Sequence, residues 1–266
     1  MEFLLSVGKI LLGVVIGLPL VVYALQDRLL FHPYPLHESQ RAELRKRFPT
    51  VEEVFLDSNG QKIHAWHVRA PAGAPLILYF GGNAEDVSGM LEDALTQAPG
   101  VGWLLVSYRG YGASEGSPSA AGMIEDALQW HDHAVKEFKP RQVFVFGRSL
   151  GSGAAVQLAA QRPLAGVVVV TPFDNLAAVA KRHYWYLPVD LLLRHRFDSI
   201  QLASKIAAPL LCIAAEQDVV IPPEHARRLF DAWGGPKQWL LLAGAGHNST
   251  DGVPAFWQAV TAFLRQ

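Results

Sequence analysis

The chain has one cysteine, Cys212, among its 266 residues. A single thiol excludes an intrachain disulfide, and its place within Pro209-Leu210-Leu211-Cys212-Ile213-Ala214 marks a buried core residue. An excess of one charge sign is also missing. The 23 Lys and Arg residues face 24 Asp and Glu, a formal net charge of −1 with no basic stripe, which excludes nucleic acid as the expected partner. The glycine-rich stretch Arg109-Gly110-Tyr111-Gly112-Ala113-Ser114-Glu115-Gly116 has no Gly-Lys-Ser/Thr step and no helical pattern directly after it, so it reads as a structural loop and not a phosphate cradle. His64 and His67 are three apart on a predicted strand and therefore on opposite faces, a poor arrangement for a shared metal. Surface or packing roles are expected for both.

What is present is apolar substance and regular alternation. Half of the residues are hydrophobic, enough for one large α/β domain with an appendage. Residues 51–56 and 62–68 flank Asp57-Ser58-Asn59-Gly60, whose Asn-Gly step predicts an antiparallel hairpin at one sheet edge. Short apolar runs at 75–80, 101–108, 143–146, 166–171, 209–214 and 238–242 read as buried strands. Helical patterns follow at 120–138, after Ser149, at 224–233 and at 253–264, with His131 and His133 on the first and His225 on a later one all expected to be exposed. The predicted fold class is α/β, a mostly parallel central sheet with helices on both faces and an N-terminal antiparallel hairpin. Residues 172–206 break the rhythm with His183-Tyr184-Trp185-Tyr186-Leu187-Pro188 and Leu191-Leu192-Leu193. Two readings fit this insertion equally: a small lid lining an acyl pocket, or plain helix packing.

At the amino end an apolar run covers residues 10–25 and is extended upstream by Phe3, Leu4, Leu5 and Val7, with Lys9 within it. Counted from Phe3 it is long enough to cross a bilayer. Val22-Tyr23-Ala24 would suit a signal-peptidase site, but no polar spacer precedes it and Leu29-Leu30-Phe31 continues the hydrophobicity. The expectation is a retained single-pass membrane anchor and interfacial segment over residues 1–33, with Arg28 and Tyr34 near the headgroups and the α/β domain at 34–266. Arg41, Arg45, Lys46 and Arg47 place that domain in the cytoplasm by the positive-inside rule, although an anchor so near the start inserts either way. The same basic cluster fits a solvated helical face as well as a lipid contact.

The chemistry converges on Val143-Phe144-Val145-Phe146-Gly147-Arg148-Ser149-Leu150-Gly151, a strand running into Gly-x-Ser-x-Gly and then an alanine-rich helix. A serine on a sharp strand-to-helix turn needs neighbours without side chains, and the first helical N–H groups face a developing oxyanion. Leu150 is the expected donor there. Gly81-Gly82-Asn83, at the end of an earlier strand, offers a second backbone donor at Asn83, with Asp86 or Ser88 as the N-cap of the next helix. Asp218 lies in a loop after the 209–214 strand and can reach a histidine from another loop, while His247 sits in a glycine-bracketed loop after the last strand. Asp174 is an alternative acid.

The order Ser149, Asp218, His247, together with Gln26-Asp27-Arg28-Leu29-Leu30-Phe31-His32-Pro33, Gly82-Asn83-Ala84, Tyr108-Arg109-Gly110-Tyr111-Gly112 and Pro172-Phe173, resembles the α/β-hydrolase superfamily over residues 50–266. Within it the chain resembles the membrane-anchored α/β-hydrolase domain 13 and 17 proteins and the fungal Bem46 group. The resemblance implies an α/β-hydrolase fold in which Ser149 is the nucleophile, His247 the base and then acid, Asp218 the orienting carboxylate, and the N–H groups of Asn83 and Leu150 the oxyanion hole. Relatives usually carry His-Gly where this chain has Gly81-Gly82, a departure that leaves the bracing of that loop open but not the presence of backbone donors there. The expected activity is a serine hydrolase that needs no metal or organic cofactor and acts on small-molecule or lipid-like acyl esters or thioesters, with S-acyl proteins as possible substrates. A peptidase using the same residues and an inactive membrane-tethered interaction protein are the competing readings.

Overall fold

The computed structural model describes the secondary structure of residues 1–266 and the side chains of all but residues 2, 4, 5, 7–12 and 14. In chain order the elements are α1 (Glu2–Leu30), α2 (Glu38–Arg47), β1 (Val51–Ser58), β2 (Gln61–Val68), β3 (Leu76–Phe80), α3 (Leu91–Thr96), β4 (Gly102–Val106) and α4 (Ala120–Glu137). They continue as β5 (Val143–Arg148), α5 (Leu150–Ala159), β6 (Gly166–Val170), α6 (Leu176–His183), α7 (Val189–Leu192), α8 (Ser199–Ala203), β7 (Leu210–Ala215), α9 (Pro223–Ala232), β8 (Lys237–Leu242) and α10 (Pro254–Phe263). The eight strands form one sheet in the order β1-β2-β4-β3-β5-β6-β7-β8. The hairpin β1-β2 is antiparallel and occupies the edge, β2 meets β4 antiparallel, and the other pairings are parallel.

Burial on both faces explains why the parallel strands are continuous apolar runs without alternation. Along β3, Leu76, Leu78 and Phe80 join one core with Trp130 of α4, Ala154 of α5 and Leu229 of α9. Ile77 and Tyr79 join the opposite core with Leu91 of α3 and with Phe256 and Trp257 of α10. Cys212 is buried in β7, and burial pushes its thiol pKa far up. The pairing Phe80 with Gly147, Arg148 with Val170 and Ala215 with Leu242 aligns the carboxyl ends of the parallel strands at one rim. The loops that follow β3, β5, β7 and β8 therefore meet there.

Three expectations need correction. Among the described residues no helix is long and apolar enough to cross a membrane, so the single-pass anchor is not supported. The side chains of residues 4, 5, 7–12 and 14, on which much of that reading rested, lie outside the described residues. Downstream, the apolar stretch from Val15 to Leu25 rises about 16 Å along a helix, half of a ~30 Å hydrocarbon layer. It is interrupted by Pro19 and ends in the polar Gln26-Asp27-Arg28 turn. The headgroup positions expected for Arg28 and Tyr34 fall with the anchor; the Tyr34 carbonyl accepts the Gly112 N–H. His225 and His131 are buried instead of exposed: His225 faces Asp174, and His131 contacts Asp132. The basic cluster lies on α2, which has no buried residue, with Arg41 and Arg45 paired to Glu53 of β1 and Arg47 to Glu92.

Candidate active site

Ser149 sits between β5 and α5 with φ 49° and ψ −113°, in the sparsely populated region that non-glycine residues avoid. Its N–H donates to the Val170 carbonyl at 2.9 Å, which pins the turn to β6. The flanking glycines are enforced by contact. A Cβ on Gly147 would lie 2.5 Å from the Gly151 carbonyl oxygen, and one on Gly151 would lie 2.0 Å from that of Phe80. The turn thus stacks its backbone directly on the two neighbouring strands.

Three loops bring the expected residues together. His247 Nε2 lies 2.9 Å from Ser149 Oγ, and His247 Nδ1 lies 2.7 Å from Asp218 Oδ2. The other Asp218 oxygen accepts the N–H groups of Val220 and Ile221 at 2.9 and 2.8 Å, so the carboxylate is aimed by its own loop. The Asp218 and His247 loops are tied by the bond from the Gln217 N–H to the Ala245 carbonyl at 2.8 Å. A neutral imidazole donating from Nδ1 to the carboxylate leaves Nε2 to accept the serine proton. Asp174 is not brought to His247. It faces His225 Nδ1 at 2.6 Å and Arg228, and these partners hold its carboxyl below the usual range although burial acts the other way.

The Gly81-Gly82-Asn83 loop lies against the serine, since a Cβ on Gly82 would stand 3.7 Å from Ser149 Cβ. The N–H groups of Asn83 and of Leu150, the first residue of α5, have no protein acceptor among the described residues. This loop is braced by a carboxylate. Glu85 accepts both the Gly82 N–H and the Tyr79 hydroxyl, and the Tyr108 hydroxyl donates to the Gly81 carbonyl at 2.7 Å. Burial pushes both phenols far above their ordinary range, so they remain donors. Arg148 reaches from beside the serine to Asp251 at 3.1 Å and Thr250 at 3.2 Å, just past His247. Sequence reasoning missed Glu85, Arg148 and the two tyrosines; Arg148 and Tyr108 stand inside motifs it had singled out.

Beside the rim an apolar groove of about 290 Å³ runs between α1 and the 180–193 segment. Val22, Leu29 and Leu30 form one wall and Tyr184, Leu187 and Leu193 part of the other. No acidic side chain lines it among the described residues. Nor, among those residues, do three His, Cys, Asp or Glu side chains gather in a way that would hold a metal.

Residues 91–201, which contain Ser149, match the family model described as serine aminopeptidase, S33. An uncharacterised Mycobacterium tuberculosis protein, Rv2307c, is 32% identical over 254 residues, spanning 93% of this chain and 89% of its own. The zebrafish (Danio rerio) lysophosphatidylserine lipase ABHD12 is 29% identical over 270 residues, spanning 83% of this chain and 70% of its own. Among solved structures, the Pyrococcus furiosus esterase Pf2001 superposes with a TM-score of 0.69 at 16% identity, over 83% of this chain and 92% of that one.

Proposed function

Since the chain belongs to the α/β-hydrolase superfamily, within the group of α/β-hydrolase domain-containing proteins, we propose that it is a serine hydrolase cleaving carboxylic esters or thioesters through an acyl-enzyme. The observation that carries the proposal is the contact of Ser149 Oγ with His247 Nε2 at 2.9 Å, on a strained turn, with Asp218 on the far side of the ring. Ser149 attacks the carbonyl carbon as its proton passes to His247. The imidazolium is stabilised by Asp218, and the oxyanion accepts the N–H groups of Asn83 and Leu150. Collapse of the tetrahedral adduct expels the alcohol or thiol, protonated by His247. Water, deprotonated by the same ring, then attacks the acyl-enzyme and the acid departs.

Lipid-like acyl substrates are favoured by the apolar groove beside the oxyanion loop, and a relative named as a lysophosphatidylserine lipase agrees with that choice. The family description as an aminopeptidase favours a second reading, peptide hydrolysis by the same residues. Against it, recognition of a substrate ammonium calls for an acidic side chain, and none lines the groove among the described residues. Wild-type protein is expected to react with a fluorophosphonate at Ser149 and to hydrolyse acyl aryl esters faster than aminoacyl arylamides. Ser149→Ala should lose both the label and at least about 10³-fold in kcat. Full ester hydrolysis by Ser149→Ala would defeat the assignment, and a folded wild type that takes no label would favour an inactive interaction protein.

A further inference from the structure

Asn83 enters the proposed chemistry through its backbone, while its side chain holds a separate network. Nδ2 donates to the Leu30 carbonyl at 2.6 Å. Oδ1 accepts the His32 N–H at 3.0 Å and the Tyr111 hydroxyl at 2.8 Å, and the same His32 N–H also lies 3.1 Å from that hydroxyl. Two of these partners belong to the segment that leaves α1. A side-chain amide with both ends engaged fixes the rotamer, and through it the plane of a peptide whose neighbours, Gly81 and Gly82, supply no side-chain restraint of their own.

The segment holding Asn83 is itself anchored. Phe31 is buried in the core and packs edge-on against His195 with centroids 4.9 Å apart. Gln26 Nε2 donates to the Leu192 carbonyl at 3.0 Å and its Oε1 accepts the Arg194 N–H at 2.8 Å, while Asp27 accepts from Arg194 and His195 at 2.7 and 2.6 Å. Leu29 and Leu30 also line the apolar groove, opposite the 180–193 segment. One peptide stretch therefore forms a wall of the groove with its side chains and holds the oxyanion residue with the Leu30 carbonyl.

On the acyl-transfer reading above, we propose that the Asn83 side chain is a positioning group linking the N-terminal segment to the oxyanion donor, and that an acyl chain filling the groove raises kcat through this link. A chain packed on Leu29 and Leu30 restrains the Leu30 carbonyl, which restrains Asn83 and so the aim of its N–H. Chain length then acts on the reaction rate and not only on binding.

The test uses full-length wild type, Asn83→Ala and Tyr111→Phe with p-nitrophenyl acetate, butyrate and octanoate, alongside fluorophosphonate labelling. Wild-type kcat is expected to rise along the series. Asn83→Ala should lower kcat for octanoate at least about tenfold with KM within about twofold, and should flatten kcat along the series. Tyr111→Phe, which removes one bond to Asn83 and the hydroxyl's contact with the His32 N–H and leaves Asn83 in place, should move kcat in the same direction by about threefold, and it decides the matter if Asn83→Ala does not fold. Label on wild-type Ser149 with an unchanged kcat profile in Tyr111→Phe and in any folded Asn83→Ala, or with losses confined to KM, would overturn the link alone. Absence of label on wild-type Ser149 would overturn the acyl-transfer reading and the link together.

Discussion

At the scale of single residues the candidate site is held by contact distances that leave no slack. Ser149 keeps its positive φ only because the strands on either side over-determine the turn, a strain of order 1–3 kcal/mol that the rest of the fold must offset. Gly151 is the tightest point, with Phe80 and Gly81 carbonyl oxygens 2.0 and 2.7 Å from where a Cβ would stand. Both are backbone atoms of the sheet rim and cannot swing aside as a flexible side chain would. Gly151→Ala is therefore expected to cost roughly 3 kcal/mol or more, read as a lower urea midpoint with an unchanged slope, together with loss of fluorophosphonate labelling. A variant that kept wild-type stability would mean that the turn can relax away from β3. Gly244, where no atom stands within 4 Å of an added Cβ but φ is +70°, separates the two costs: Gly244→Ala meets only backbone strain.

At the scale of elements the lesson lies in α1. Its last turns are fastened to the 192–195 segment by Gln26 and Asp27, and of these Gln26 is the buried one, 5% exposed. Gln26→Ala leaves the Leu192 carbonyl and the Arg194 N–H without their partner, a penalty of about 1–3 kcal/mol confined to this junction. Faster amide exchange at Arg194 and at the His32 N–H, with the core of β5 and β6 unaffected, is the expected signature. Uniform acceleration would show that the junction is part of the global unfolding unit. This element also marks the limit of what the sequence discloses. The parallel strands were legible within one or two residues because burial on both faces leaves a run of β-branched and aromatic residues, as in Val167-Val168-Val169-Val170, that few other elements tolerate. Ser149, Asp218 and His247 could be placed because each ends or follows such a strand. Hydropathy alone read residues 3–25 as one continuous span, whereas among the described residues no helix is long and apolar enough to cross a membrane, so α1 was misassigned. The buried Gln26, with polar partners more than a hundred residues away, could not be seen before the fold was known. The same holds for Glu85, whose role depends on Tyr79 and Gly82 closing around it.

Across the whole molecule, stability against acid depends on a charged cluster at the sheet edge far along the strand order from Ser149. Glu53 of β1 meets Arg41 and Arg45 of α2 and the buried imidazole of His64 on β2, while His64 Nδ1 lies 3.1 Å from Ser107 Oγ. Burial alone would raise the Glu53 carboxyl, but the His64 imidazole 3.4 Å away and the Arg41 guanidinium outweigh it and draw its pKa from 4.5 down to about 2. Burial depresses the His64 pKa below 6.5 despite Glu53 beside it, which keeps the ring neutral in the folded state. Both shifts act with the same sign. For a group whose folded pKa is depressed, the unfolded chain binds protons more readily, so stability is complete above the unfolded value and falls as pH drops towards the folded one. His64 begins to reduce stability below about 6.5, and Glu53 adds its loss between about 4.5 and about 2. Glu53→Gln cannot titrate in the lower window and leaves Arg41 and Arg45 with only the exposed Glu38 carboxylate of α2. It is expected to be less stable than wild type at pH 7, with the difference between their urea midpoints narrowing steadily from pH 4.5 to pH 3. Parallel curves over that range would show that Glu53 has the same proton affinity in both states, and that the contact between α2 and β1 rests on the arginine stems packing there instead of on the charge.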